Sequence, residues 1–306
     1  MNQIAEIQNT PKQIERLAAQ RELYTSAKKY YIIQLIGNII IPIVGSIIAI
    51  YYSAYAAYVG LYGICFFLID IIFIERIITE RRTKAAKIQE LFDCDVLQLK
   101  KSPLKTADDI VVEEVLTHYK AFQKAKKDIG KIKDWYPKET QVLSIEYARL
   151  ICQKTNCWWD SKLRTKYCNL LLIICVTLGL GILIYGVIEK MTLEQVVLIT
   201  SGLIPFFQFS AKQYMDNMDS ADRLTKVNQY INKIWNKILN QTIDTSSIEE
   251  AARRIQDEFY DNRIKSPLIL DSFYWIFRHN TEGLMTRTAE TLLEEFVSAK
   301  IKITNS

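Results

Sequence analysis

Two long apolar blocks, each folded back on itself, dominate the hydropathy pattern of this chain. The first runs from Tyr30 to Ile74, and Asp70 is its only formal charge. A helix needs roughly 20 mostly apolar residues to cross a hydrocarbon core about 30 Å thick. The block holds two such lengths, Tyr31 to Tyr51 and Tyr58 to Ile74, joined by a turn at Tyr52 to Ala57. A helical hairpin in lipid is the expected form, because a helix satisfies its own backbone groups where water is absent. The second block repeats the design with Asn169 to Ile188 and Leu193 to Phe209, joined through Glu189, Lys190, Met191 and Thr192. Its last length is the shortest, and Gln195, Thr200, Ser201, Pro205 and Gln208 interrupt it.

The segments between these blocks read as amphipathic helices. Thr10, Pro11 and Gln13 predict a capped start for a first helix whose apolar stripe is Ile14, Leu17, Leu23 and Tyr24. Glu80 to Leu91 continues the second span as a charged helix, and FDCDVLQLKKSPLKT then predicts a short strand or an extended loop. Thr106 is expected to cap a helix reaching about Asp128, with Asp108 and Asp109 favoured there by the helix dipole. A further helix is expected over Thr140 to Thr155. Leu224, Val227, Ile231, Ile234 and Ile238 form a heptad seam that can pair within this chain or with a neighbour. Ser247 and Glu250 predict another capping box, Ser266-Pro267 a break, and Phe273 to Phe277 with Met285 to Val297 a helical tail.

The fold class expected is therefore all-α: an integral membrane protein with four transmembrane helices in two hairpins and a helical cytoplasmic domain. The segments are a cytoplasmic N-terminal helix (1–29), hairpin 1 (30–74), a cytoplasmic helical segment (75–167), hairpin 2 (168–209) and a cytoplasmic C-terminal helical segment (210–306). Charge adds direction. The net charge over 306 residues is only +5, but its placement is uneven. Lys28 and Lys29 precede the first span, and Arg76, Arg81, Arg82, Lys84 and Lys87 follow the second. Lys162, Arg164 and Lys166 precede the third, Lys212 and Arg223 follow the fourth, and the hairpin turns hold only Lys190. Both termini are expected on the cytoplasmic side by the positive-inside rule. No cleavable signal peptide is visible.

Catalytic motifs are missing. His118 and His279 are the only histidines, and no phosphate-binding glycine loop, HExxH or GxSxG occurs. The six cysteines form no CxxC pair and are expected to be reduced, structural thiols. No cofactor and no metal is expected. Candidate pore-lining residues are Gln34, Asn38, Asp70 and Gln208, because polar groups within a span face a bundle interior or a watery path. The alternative for them is hydrogen bonding between helices. Candidate contacts for an anionic nucleotide are Trp135, Tyr136, Trp158, Trp159, Arg164, Lys131 and Lys133. Against these stand interfacial anchoring for the paired tryptophans and a solvated helix face for the lysines. A membrane-anchored scaffold acting through the Leu224 to Ile238 seam, or a membrane enzyme using Asp93 or Asp160, remains the competing class.

Several local motifs carry a resemblance. LFDCDVL (Leu91 to Leu97), DWYP (Asp134 to Pro137), ARLICQKTNCWWDSKLR (Ala148 to Arg164), IQDEFYDNR (Ile255 to Arg263), SPLILDSFY (Ser266 to Tyr274) and Arg278 with Glu282 follow one another in this order. With two hairpins around a central segment, the chain resembles the SMODS-associating four-transmembrane effectors of bacteria. Lys100-Lys101 and Leu270 depart from that pattern, where an aromatic residue and a proline are common. The resemblance implies a pore-forming effector of the inner membrane in a cyclic-oligonucleotide anti-phage (CBASS) system. A cyclic di- or trinucleotide from a nucleotide cyclase would activate a homo-oligomer from the cytoplasmic side and cause abortive infection.

Overall fold

The computed structural model describes residues 1–102, 110–278 and 282–304. Thr106, Asp108, Asp109 and His279 lie outside them. Twelve α-helices are described: α1 (Ile4–Ile7), α2 (Pro11–Leu35), α3 (Ile41–Tyr51), α4 (Ala56–Ile69), α5 (Glu75–Val96), α6 (Val112–Lys124), α7 (Ile145–Ile188), α8 (Leu193–Gly202), α9 (Ile204–Leu239), α10 (Thr245–Lys265), α11 (Asp271–Arg278) and α12 (Glu282–Thr304). There is no strand among the described residues, and short 3₁₀ turns complete the chain. Two π-helical turns interrupt the apolar hairpin, at Ile36–Ile40 between α2 and α3 and at Asp70–Ile74 between α4 and α5.

The chain divides into two compact units. One comprises Met1–Thr25, Arg81–Leu163 and Ser220–Ser306; the other comprises Ser26–Glu80 and Arg164–Asp219. The first has a conventional apolar interior. Leu17, Phe92, Phe122, Ile151, Ile255 and Phe259 pack in one buried cluster. All five residues of the heptad seam, Leu224, Val227, Ile231, Ile234 and Ile238, belong to that same cluster. The seam is thus closed within this chain, which removes the free face that the scaffold reading required.

The second unit is built the other way round. Large apolar side chains such as Ile64, Phe73, Ile173 and Val187 are exposed, whereas Gln34, Asn38, Asp70, Gln213 and Asn217 are buried. Three helical stretches, Pro11–Tyr51, Ser53–Val96 and Ile145–Ile188, are long and apolar enough to cross a membrane. The pair α8 and α9 makes a fourth candidate, bent by 53° between Gly202 and Ile204. The bend has a local cause: Pro205 has no backbone N–H to give and disfavours helical geometry in the residue before it. A capping box of Thr192 and Gln195 starts α8. Small residues let α3, α4 and α8 approach closely. A Cβ on Gly202 would stand 2.6 Å from the Ser46 hydroxyl, and one on Gly63 2.8 Å from the Pro205 ring.

Several local expectations are corrected. LFDCDV is helical, not extended, and α5 runs unbroken through it to Val96. A 3₁₀ turn at Lys138–Val142 replaces the start of the expected Thr140 to Thr155 helix, and α7 then continues through Asn156 to Asp160 into the apolar span. The Thr10 backbone N–H and hydroxyl both donate to the Ile7 carbonyl, and Gln13 Oε1 accepts from Arg16, so these two residues do not make the expected box. Asp244, not Ser247, caps α10 by accepting from the Ser247 backbone N–H.

Candidate functional site

Within the second unit, the polar residues of the first hairpin converge on Asp70. Gln34 lies in the last turn of α2, and Asn38 lies inside the first π turn; a spacing of four places them near one helical face. Asp70 opens the second π turn. Gln34 Nε2 donates to Asp70 Oδ1 at 2.6 Å, and Asn38 Nδ2 donates to Asp70 Oδ2 at 2.7 Å. The same Gln34 amide donates to Glu75 Oε2 at 2.9 Å, so one side chain ties two carboxylates together. All three clasp residues are buried, Asp70 being 8 % exposed. Lys212 Nζ stands 3.8 Å from Glu75, and among the described residues no lysine or arginine forms an ion pair with Asp70.

The π turns are what bring these groups face to face. A π turn carries one residue more than an α turn and so redirects the side chains around it; such turns recur at functional positions. The aromatic pair Tyr62 and Phe66, stacked at 5.7 Å, closes over the first of them. Tyr62 donates its hydroxyl to the Gly37 carbonyl at 3.1 Å. Any Cβ at Gly37 would fall 1.8 Å from the Phe66 ring, so glycine is required for this approach.

A second line of polar contacts runs through the same unit. Tyr31 and Tyr167 share a hydroxyl hydrogen bond at 3.0 Å, and Tyr31 also donates to Gln213 Oε1 at 3.3 Å. Asn217 donates to the Gln213 carbonyl, and Arg164 Nη1 donates to Asn217 Oδ1 at 2.8 Å. Arg164, expected to meet a nucleotide, is therefore buried with Asn217 as its partner. Gln208 is exposed on α9 and takes no part in the hydrogen bonds of the Asp70 clasp.

The family-like motifs meet in the first unit. Asp93 of LFDCDVL, 0 % exposed, accepts hydrogen bonds from the Tyr136 hydroxyl of DWYP at 2.6 Å, from Gln256 at 2.8 Å and from Arg263 at 2.6 Å. Glu90 accepts from Arg253 at 2.6 Å and from the same Gln256 amide at 2.8 Å. Each carboxylate has a guanidinium, so buried charge is matched by opposite charge. Burial, followed by the charge of Asp93, raises the Tyr136 phenol well above its ordinary value. Burial opposes the charge on Arg263, but Asp93 and its neighbours outweigh it and hold the guanidinium more firmly protonated than usual. Burial, aided by Glu90, pushes the Cys94 thiol up to about 12, and burial alone dominates at Cys152, also about 12.

The other proposed ligand contacts are spread out. Trp135 packs edge-on against Phe92, on which Tyr136 stacks, so DWYP is part of the interior wall. Tyr136 is 2 % exposed and offers no face to a ligand in this conformation. Trp158 and Trp159 are half-buried on α7, and Lys131 and Lys133 are exposed around a 3₁₀ turn. Two cavities are lined by other residues. One of about 490 Å³ is walled by Ile50, Leu178, Gly181 and Val196, and one of about 220 Å³ by Tyr147, Gln241, Phe296 and Lys300. Glu75, Gln256 and Arg263 were missed as site residues. Glu75 sits at the charged border of a span, where an anion is unremarkable, and the other two lie in a motif whose partners are far away in sequence.

Comparison with known proteins places this geometry in a family. A Bacillus cereus (strain VD146) protein named "Probable CBASS effector molecule" is 27% identical over 295 residues, covering 92% of this chain and 95% of its own. No solved structure matches. The family model described as the SMODS-associating 4TM effector domain matches residues 2–292, taking in both the apolar hairpin with its Asp70 clasp and the motifs that meet at Asp93. The chain belongs to the SMODS-associating 4TM effector family.

Proposed function

We propose that this protein is a gated opening for the bacterial inner membrane, triggered from the cytoplasm by a cyclic di- or trinucleotide. In this reading the four apolar stretches span the bilayer as two hairpins, with both termini and the unit containing Asp93 in the cytoplasm. The short connections at Ser53–Tyr55 and at Glu189 to Thr192 leave almost no chain on the far side, so the signal arrives where the folded mass is. A nucleotide cyclase that responds to infection supplies the ligand. Binding shifts the population of a closed form toward an open one, as differential affinity for two states requires. Assembly of several copies then breaches the membrane, and the infected cell dies before phage matures.

The observation that carries this reading is the charge at Asp70, buried inside an apolar hairpin of a member of an effector family. Ionisable groups at such depth are costly and mark pathways and relays. The relative's name supports the defence setting, since CBASS effectors act downstream of a signal rather than upstream. The test is made in living bacteria carrying a voltage-sensitive dye. Co-expression of the full chain with an active cyclic-oligonucleotide synthase should depolarise the membrane within minutes. A synthase with its catalytic carboxylates removed should leave the potential intact. Depolarisation with either synthase, or with neither, would sink the nucleotide-gated reading.

A further inference from the structure

We propose that the opening is cation-selective and that Asp70 is the residue that makes it so. The inference rests on the membrane-opening reading above and adds its permeant class. Its basis is the chemistry of the clasp. Gln34 and Asn38 donate to separate oxygens of Asp70, and a carboxylate, which offers two acceptor oxygens where an amide offers one, brings a negative charge into the hydrocarbon region. That charge is held by neutral donors, the Gln34 amide at 2.6 Å and the Asn38 amide at 2.7 Å, and not by a lysine or arginine. A carboxylate has about four acceptor sites. The two amide bonds occupy two of them, which leaves acceptor capacity for a passing cation or its water.

The position of the charge fits a selecting role. Asp70 precedes Glu75 by five residues, with the second π turn between them. Glu75 shares the Gln34 amide, so a second carboxylate stands beside Asp70. Lys212 stands 3.8 Å from Glu75 and shares its charge with Asp216 at 3.7 Å. Beyond Asp70 the hairpin interior turns apolar and tightly packed, with Phe66 lying against Gly37 and Val59 against Gly45. Carboxylates adjoining an apolar constriction are an arrangement that separates selection from gating. The carboxylate lowers the energy of a cation and raises that of an anion in a region where water screens poorly.

The test measures reversal potentials across planar bilayers containing the purified full chain, with potassium chloride more concentrated on one side. Cyclic di-adenylate, cyclic di-guanylate and cyclic tri-adenylate are added in turn to open it. Wild type should favour potassium over chloride by about tenfold or more. Asp70→Asn, which keeps a hydrogen-bonding side chain of the same size, should bring the ratio near unity, and Asp70→Glu should restore most of it. Equal selectivity in wild type and Asp70→Asn would overturn the assignment while leaving the membrane-opening reading in place, as would chloride preference in wild type. Absence of any current from folded wild type with every nucleotide would overturn both.

Discussion

Asp70 and Asp93 are both buried carboxylates with multiple donors, yet they are compensated in opposite ways. Asp93 meets a guanidinium, an amide and a phenol, so its charge is neutralised by Arg263 at 2.6 Å. Asp70 meets two amides alone. The first arrangement belongs to a folded interior, where a paired charge fixes one packing among several and is expensive to disturb. The second holds a carboxylate with neutral donors, one on each oxygen, and no lysine or arginine in direct contact among the described residues. A buried polar group signals function less by its burial than by the sign left over after its partners are counted.

The comparison breaks if Arg263 can be removed cheaply. Arg263→Leu should cost about 3–5 kcal/mol, because it leaves Asp93 charged and unpaired in a dry interior. A large fall in thermal unfolding temperature in detergent is expected, with partial recovery when Asp93→Asn is added. The next largest effect lies beside the Asp70 clasp. Gly37→Ala drives a methyl into the Phe66 ring and should cost about 1–3 kcal/mol, and Phe66→Ala in the same chain should return most of it. Asp70→Asn should be mild by contrast. Hydrogen bonds between helices in a bilayer average about 0.6 kcal/mol, so the unfolding temperature should move by little while the ion preference changes. A fall as deep as that of Arg263→Leu would show the clasp to be fabric after all.

The smallest effect is read from its pH dependence. Burial pushes Asp95 up, but Arg16 at 2.7 Å, Lys12 and Gln13 outweigh it and hold the carboxyl below its ordinary value. A carboxylate lowered on folding stabilises the native state above its unfolded pKa of about 3.9, and that contribution is lost as pH falls through the lower folded value. Wild type should therefore lose stability as pH falls below about 4. Asp95→Asn should be less stable at pH 7 and show a shallower decline over that range.

How much of this was readable depended on whether the causes were local. Runs such as Asn169 to Ile188 announce themselves because lipid selects composition along a single helix. The group Gln34, Asn38 and Asp70 was legible for a related reason, being the polar minority in an apolar hairpin. The π turns were not, since an extra residue in a turn is fixed by what packs against it, here Tyr62 and Phe66. FDCDVL read as the start of a strand or loop, and aspartate and cysteine do favour helices poorly. Asp93 is nevertheless held in α5 by Tyr136, Gln256 and Arg263, the last 170 residues away in sequence. Of the nucleotide contacts, Tyr136 and Arg164 had the right chemistry, but their polar ends are occupied inside the protein. Residue type alone does not tell an aromatic or arginine that awaits a ligand from one that already has a partner.

The most direct measurement is release of a self-quenched dye from liposomes holding the purified full chain, with cyclic di- and trinucleotides added one at a time outside. In a preparation whose Asp93-containing unit faces outward, one nucleotide should release the dye, and the others should leave it trapped. Retention of dye under every nucleotide, or a leak that none of them alters, would contradict a cytoplasmically gated opening.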